Sequence, residues 1–227
     1  SSDNAGPMLQ ALAQRKIPVY NPRSKSFLES TEVKAVLGVL VRLIDPEMRF
    51  AYNKQTGVAD TVQGWLDCLN DILHDPGLDT SQLSDYIAHS ADSIPEMCHN
   101  APGKSLSLSL MEILYRIIAL EPFVTWRQDP VRNLRLSKVT RLFESYHNLN
   151  RDRLKANQSG TGLDSSFLDR FYYQMVGYLV DARLDDDEDE EVIVPKGCLP
   201  IMTIHQSKGL EFPFVIVTSL GKASHVG

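Results

Sequence analysis

A dense block of polar residues stands between two apolar runs at residues 201–218. The block brings an imidazole, an ammonium group, a glycine and a carboxylate into close succession, as His205, Lys208, Gly209 and Glu211. Glycine lets backbone N–H groups approach an anion, and a neighbouring lysine adds a point charge suited to phosphate. A carboxylate can accept a hydrogen bond from a ribose hydroxyl. These residue types therefore predict a site that binds phosphate and ribose.

The elements that must position this block are the apolar runs on each side of it, which have the composition of β-strands. A strand that ends in Thr203 and His205 presents these side chains at the carboxyl edge of a sheet, where open α/β folds bind ligands. The start of the chain predicts a related unit. Helical spacing over residues 8–16 leads directly into a short strand at residues 17–20, as in parallel α/β sheets.

The middle of the chain is dominated by helical periodicity. Two prolines and a glycine predict a long loop at residues 93–104. Residues 105–109 alternate as a strand does, but their continuation to residue 118 has helical period and favours a helix. Asp164 is placed to cap the last helix. Apolar residues recur at helical spacing in stretches 33–44, 62–73, 83–87, 110–118, 139–149 and 167–180.

Charge and composition exclude some classes of protein. The net charge of −6 arises from seven consecutive carboxylates at residues 185–191, and the remainder of the chain carries +1. A polyanionic partner is therefore compatible with the rest of the surface. The three cysteines lie far apart, which argues against a disulfide framework or a zinc site. No apolar run approaches the roughly 18–20 residues of a membrane span, so we expect a cytoplasmic protein without membrane contact.

Residues 203–212 resemble the fifth conserved motif of UvrD/Rep/PcrA-type superfamily 1 DNA helicases, whose signature is T-x-H-x-x-K-G-L-E-F. A second match lies near the start, where residues 16–20 and 27–34 resemble the family's helix-strand unit and its following leucine-rich helix. A third match, at residues 135–142, resembles a helix start in the family's inserted subdomain. The residues that agree with the first signature are Thr203, His205, Lys208, Gly209, Leu210, Glu211 and Phe212.

The resemblance implies a mostly α fold with a small α/β part. In the family's terms, a 2B-like helical subdomain is inserted into a partial RecA-like P-loop NTPase C-terminal lobe, the 2A-like subdomain. We expect residues 1–45 to form the first part of the 2A subdomain and residues 46–184 to form the inserted subdomain. Residues 185–196 would be an acidic linker, and residues 197–227 would return to the 2A subdomain with the fifth motif.

The resemblance also divides the site between two ligands. Thr203 and His205 would contact the phosphate backbone of single-stranded DNA. Lys208, Gly209 and Glu211 would lie on the ATP side, so that the motif couples the two sites.

Each of these assignments has a structural alternative. An isolated histidine such as His205 is more often a structural residue, and Thr203 is a common β-former. Lys208 and Glu211 taken alone would form a surface ion pair that contributes little. Near the first strand, the family's paired glycines are replaced by Asn-Pro-Arg, so Arg23 and Lys25 become candidates for phosphate contacts to the DNA.

Several parts of the family's catalytic machinery are not in this sequence. It contains neither the G-x-x-x-x-G-K-[ST] phosphate loop nor a strand ending in an Asp-Glu pair for magnesium. We therefore expect no ATP hydrolysis and no bound cofactor in this chain alone. The resemblance implies that the parent protein uses ATP and Mg²⁺ and works with an N-terminal RecA-like lobe, subdomains 1A and 1B.

The implied activity is ATP-driven translocation on single-stranded DNA and duplex unwinding, in DNA repair or replication restart. Expected partners are single-stranded and junction DNA, with protein partners through the helical insert and a nucleoid-associated location. The alternative is a DNA- or protein-binding regulatory module that keeps the helicase C-terminal fold without its motor.

Basic and aromatic residues of the helical region carry two further expectations. Trp65 and Trp126 are interpreted as core or interface anchors, not as platforms for base stacking. Periodicity places Arg135 towards the apolar side of its helix. Five residues fit either a duplex-binding patch or, as we favour, a solvated face with one packed arginine: Arg127, Arg132, Arg135, Lys138 and Arg141.

Overall fold

The structure, a computed structural model, describes residues 11–12, 14–17, 19–20, 27–48, 58–150, 153–177, 179, 197–202, 207 and 211–217. The chain divides into two compact units. The smaller unit combines residues 1–24 with residues 187–227, and the larger unit spans residues 25–186. The sequence of the larger unit thus lies between the two segments of the smaller one.

The smaller unit contains a parallel pair of short strands. Strand β1 (Val19–Tyr20) pairs with strand β4 (Leu199–Pro200), with Val19 opposite Leu199 and Tyr20 opposite Pro200. Residues 11, 12 and 14 are helical and precede β1. The predicted order of helix and strand at the start of the chain is therefore present in the described residues.

The larger unit is helical for most of its length, as its periodicity predicts. A 3₁₀ turn (Phe27–Glu29) is followed by α1 (Thr31–Ile44), α2 (Val58–Leu73) and α3 (Ser81–Asn100). Strand β2 (Ser105–Ser109) leads into α4 (Leu110–Ile118), α5 (Phe123–Trp126) and α6 (Pro130–Asn150). Strand β3 (Arg153–Lys155), α7 (Ser165–Arg170) and a π-helical turn (Phe171–Val176) come next.

Helix α1 lies at the centre of the core of the larger unit. Eleven of its fourteen residues are buried, and Val33, Val36 and Leu40 have no exposed surface. A helix that is apolar over most of its circumference must be enclosed by other elements. Gly38 permits a close crossing with α2, because a Cβ atom here would lie 2.5 Å from the carbonyl oxygen of Trp65.

The prediction of a helix at residues 105–109 is wrong, because this segment is strand β2. It pairs antiparallel with β3, with Ser105 opposite Lys155 and Ser109 opposite Arg153. Its leucines are buried and two of its three serines are exposed, which is the two-residue period of a half-buried strand. Local periodicity did not reveal the pairing partner, which lies far along the chain.

Helix α4 begins where the strand ends, and a capping box fixes the boundary. The Ser109 hydroxyl accepts a hydrogen bond from the Glu112 N–H at 3.2 Å, and the Glu112 carboxylate accepts from the Ser109 N–H at 2.7 Å. This reciprocal pair satisfies two N–H groups that a helix terminus otherwise leaves without partners.

The predicted loop at residues 93–104 is also wrong over its first part, because α3 continues to Asn100 with Pro95 inside it. Ile94 and Cys98 lie four residues apart and are both buried, so their packing extends the helix. Pro95 and Ala91 are exposed, and water can therefore hydrate the carbonyl group that the missing N–H leaves without a donor.

Aspartate side chains cap two further helices. Asp164 accepts a hydrogen bond from the Ser166 N–H at 3.0 Å at the start of α7, which confirms the predicted cap. Asp129 accepts hydrogen bonds from the N–H groups of Val131 and Arg132, both at 2.9 Å, at the start of α6.

The described residues thus form a mostly helical protein with little β-structure, and the broad fold class is confirmed. No helix in this part of the chain combines the length and the apolar character that crossing a membrane requires. Cys68, Cys98 and Cys198 form no disulfide bond with one another in the described residues.

Candidate functional site

The strand pair of the smaller unit defines the edge at which the candidate site begins. Because β1 and β4 are parallel, their carboxyl ends, Tyr20 and Pro200, lie side by side. Gly197 precedes β4 with a φ of +83°, a left-handed conformation that glycine adopts without steric cost. In open α/β sheets, ligands bind beyond the carboxyl ends of parallel strands.

The residues that follow these two ends are those that the sequence singles out. Arg23 and Lys25 come after β1, and Thr203 and His205 come after β4. These four residues lie outside the described residues, and so do Lys208 and Gly209. Their predicted roles remain predictions.

Glu211 is the one predicted site residue that the structure describes, and its side chain is exposed. An exposed carboxylate is able to accept a hydrogen bond from a ligand hydroxyl. Phe212, next to it, is partly buried. The Glu211 carboxylate is therefore accessible to a ligand hydroxyl without a change in the fold around it.

The second strand predicted beside the polar block does not form within residues 211–217. No strand is assigned there, and Phe214 and Ile216 are 91% and 84% exposed. Val215 and Val217, on the alternate side, are also exposed. A run that is apolar on both sides is typical of a central strand, which needs neighbouring strands and layers on both faces. Among the described residues, this run has no such neighbours.

The basic residues of α6 do not form one continuous free surface. Nη1 of Arg135 lies 3.0 Å from Oε1 of Glu32, whose side chain is only 4% exposed. The guanidinium of Arg132 lies 5.2 Å from the ring centroid of Trp126, a cation–π contact. The favoured prediction of one packed arginine is confirmed for Arg135, whose role is structural.

Both tryptophans are core residues, as predicted. Trp65 and Trp126 are 1% and 7% exposed, and Phe123 packs edge-on against Trp126 with ring centroids 5.4 Å apart. Neither ring offers a free face for stacking a base. Within the described ranges, no group of three or more His, Cys, Asp or Glu side chains is arranged to hold a metal ion.

Sequence reasoning missed a polar groove in the larger unit. The groove encloses about 360 Å³. Four of its lining residues lie within residues 109–115, but His147 and Arg153 come from later elements, and only the fold brings the two sets together. The lining residues are Ser109, Met111, Glu112, Tyr115, His147 and Arg153.

Comparison with known proteins gives a family match over most of the chain. The family model of the UvrD-like helicase C-terminal domain matches residues 81–224. An ATP-dependent helicase/nuclease subunit of Thermoanaerobacter sp. is 23% identical over 242 aligned residues, which cover 94% of this chain and 17% of that protein. The Streptococcus mutans protein of the same name is 25% identical over 141 residues, covering 56% of this chain and 12% of the relative.

A third relative of that name, from Staphylococcus epidermidis, is 40% identical over 65 residues, which are 28% of this chain and 5% of the relative. The chain therefore spans less than a fifth of the length of these relatives. No solved structure matches it.

Proposed function

The chain belongs to the family of UvrD-like helicase C-terminal domains, and we propose that it is part of an ATP-dependent DNA helicase. In this proposal, the chain couples ATP binding by the parent protein to translocation on single-stranded DNA and to duplex unwinding. DNA repair or replication restart is the proposed setting. Relatives that are named as ATP-dependent helicase/nuclease subunits support the proposal.

The observation that carries the proposal is the parallel pairing of β1 with β4. The two strands are separated by the whole sequence of the larger unit, yet they lie side by side. In the sequence, one pair of candidate DNA-contact residues, Arg23 and Lys25, follows β1, and the other pair, Thr203 and His205, follows β4. This arrangement supports the view that the larger unit is a 2B-like insertion into a 2A-like lobe.

The site residues are assigned by the chemistry that each can perform. Thr203 and His205 contact the phosphate backbone of single-stranded DNA by hydrogen bonding, and Arg23 and Lys25 add charge from the neighbouring strand end. Because phosphate contacts carry no sequence information, this half of the site would bind single strands of any sequence.

The nucleotide side is assigned to three residues of the same block. Gly209 allows backbone N–H groups to approach a phosphate, and Lys208 supplies a positive charge to it. Glu211, which is exposed, accepts a hydrogen bond from the ATP ribose. A nucleotide and a DNA strand would thus bind to residues only a few positions apart, which is the physical basis of the proposed coupling.

The remaining parts of the motor belong to the parent protein in this proposal. An N-terminal RecA-like lobe, subdomains 1A and 1B, would supply the phosphate loop and the carboxylates that hold Mg²⁺. Junction DNA is a further proposed substrate. Because the relatives are named as subunits, we expect a second polypeptide to take part as well.

Measurement of ATP hydrolysis on this chain and on the full-length parent protein tests the proposal. We expect no turnover from the chain and magnesium-dependent turnover, stimulated by single-stranded DNA, from the parent. ATP turnover by the chain alone would contradict the proposal that the phosphate loop and the magnesium ligands come from another part of the parent protein. A parent protein that binds DNA without hydrolysing ATP would instead indicate a regulatory module without a motor.

A further inference from the structure

The polar groove of the larger unit lies where three elements meet. Arg153 on β3 stands opposite Ser109, the residue that caps α4. Tyr115 extends from α4 towards α6 and donates a hydrogen bond to Glu144 at 2.7 Å. His147 follows Glu144 by one helical turn on α6, so both face the same side.

The acceptor groups at this groove are already engaged by internal donors. The Glu112 carboxylate accepts hydrogen bonds from the N–H and the hydroxyl of Ser109, at 2.7 and 3.1 Å. The Glu144 carboxylate accepts the phenolic hydrogen of Tyr115, and this hydrogen bond raises the pKa of the phenol. The phenol therefore keeps its proton, and each carboxylate already accepts a hydrogen bond from within the larger unit.

Two other polar groups at the groove have no hydrogen-bond partner among the described residues. Arg153 is exposed, and among the described residues its guanidinium has no ion-pair or hydrogen-bond partner. Nδ1 of His147 is enclosed, and no described residue forms a hydrogen bond with it. An enclosed polar atom without a partner destabilises the folded state, and no hydrogen bond at Nδ1 holds the ring in its present orientation.

We propose that this groove binds a single anionic side chain of a partner polypeptide, either a carboxylate or a phosphorylated residue. The anion pairs with the fork of Arg153, and the ring of His147 turns to donate a second hydrogen bond. Met111 and the ring of Tyr115 contact the apolar part of the same side chain. The proposal does not depend on the helicase function.

An isolated anionic group fits the groove better than a nucleic acid strand does. A strand carries a negative charge at every nucleotide, and Glu112 and Glu144 would repel the charges next to the one that Arg153 binds. The same unit carries eight carboxylates and no lysine or arginine over residues 58–100, which adds to the repulsion of a long polyanion. A single anionic side chain brings only one charge into this field, whereas a strand brings a further charge with each neighbouring nucleotide.

Nuclear magnetic resonance of the isotopically labelled chain tests this inference with four probes. These are capped peptides that contain a single glutamate, a single phosphoserine or a single glutamine, and a short oligothymidylate. We expect the signals of the Arg153 side chain and the His147 ring to shift with glutamate or phosphoserine and not with glutamine. Comparison of the two anionic peptides shows which anion is preferred.

Variants make the result specific to the groove. Arg153→Gln should weaken peptide binding about tenfold, the loss of one charge-assisted contact. Arg127→Gln, which removes an exposed arginine that does not line the groove, should leave binding unchanged. His147→Gln, with Arg153 intact, should weaken binding by a smaller factor. The absence of shifts with both anionic peptides, or shifts with the oligonucleotide alone, would overturn the inference.

Discussion

Nη1 of Arg135 lies 3.0 Å from Oε1 of Glu32, and this ion pair joins α6 to the first turn of α1. The two residues are 103 positions apart in the sequence. Glu32 is almost fully buried, whereas the side chain of Arg135 is 26% exposed. The pair therefore allows a carboxylate to remain in the core beside the most buried helix of the larger unit.

Arg135→Met should lower the free energy of unfolding by about 2–3 kcal/mol, because it leaves the Glu32 carboxylate enclosed without its counter-charge. Arg141→Met, which removes an exposed arginine on the same helix, should change stability by less than about 0.5 kcal/mol. Denaturant unfolding of both variants provides the comparison. If the two variants were equally stable, the ion pair would have no structural role.

A double variant separates the ion pair from the packing of the arginine. Glu32→Gln in the Arg135→Met background removes the charge that the single variant leaves buried. We expect the double variant to be at least about 1 kcal/mol more stable than Arg135→Met alone. A double variant that is no more stable than Arg135→Met would show that the loss comes from the packing of Arg135 and not from the unpaired charge of Glu32.

Gly38→Ala tests the close crossing of α1 and α2. The added methyl group would lie 2.5 Å from the carbonyl oxygen of Trp65, so the two helices must move apart. We expect a loss of about 3 kcal/mol in the free energy of unfolding. Gly64→Ala is the matched control within α2, since no heavy atom outside its own stretch of helix backbone lies within 4 Å of the added methyl group.

The control variant should be more stable than the unaltered chain, by up to about 1 kcal/mol, because alanine has the higher helix propensity. Thermal melting of both variants gives opposite signs if the crossing is as described. Small changes of the same sign in the two melting temperatures would mean that α1 and α2 lie farther apart at Gly38 than the structure shows.

The cap at Asp164 predicts a dependence of stability on pH. The hydrogen bond from the Ser166 hydroxyl is the main cause that holds the pKa of Asp164 below its ordinary value, and Lys155, whose Nζ lies 3.8 Å away, adds to it. A carboxyl group with a lowered pKa in the folded state stabilises the fold above the ordinary value of about 4. This contribution is lost as the pH falls through the lowered value.

Asp164→Ala should therefore cost about 1 kcal/mol at pH 7 and progressively less in acid. Asp92→Ala, on the exposed side of α3, serves as the control and should show no such cap-dependent loss. Urea unfolding at pH 7 and at pH 3 measures both variants. A cost for Asp164→Ala that grows as the pH falls would contradict the assignment of the cap.

The helices of the larger unit could be predicted because their signals are local. The apolar positions of α1, the cap at Asp164 and the inward direction of Arg135 all follow from spacing along a single helix. The partner of Arg135, by contrast, had no local signal. Glu32 belongs to the stretch at residues 27–34 that resembles the family's leucine-rich helix, and its burial became visible only with the fold.

The errors in prediction have a common physical origin. Strand β2 depends on β3, and the continuation of α3 through Pro95 depends on the packing of Ile94 and Cys98. The run at residues 214–217 has the composition of a strand, yet it has no strand partner among the described residues. In each case a contact that is distant in sequence, or its absence, overrides the local preference.

The candidate site was located by its motif alone. The structure adds the side-by-side carboxyl ends of β1 and β4 and the exposure of Glu211. It does not describe His205 or Lys208, whose proposed roles rest on the resemblance to the family and on the chemistry of their side chains. The groove at Arg153 could not be predicted, because its residues come from elements that only the fold brings together.

The most direct test of the proposed function is the affinity of the full-length parent protein for single-stranded DNA, with and without His205→Ala, at one fixed salt concentration. Because His205 is proposed to contact the phosphate backbone and not to support the core, we expect an affinity about tenfold weaker and an unchanged melting temperature. An unchanged affinity together with a markedly lower melting temperature would contradict the proposal and identify His205 as a structural residue.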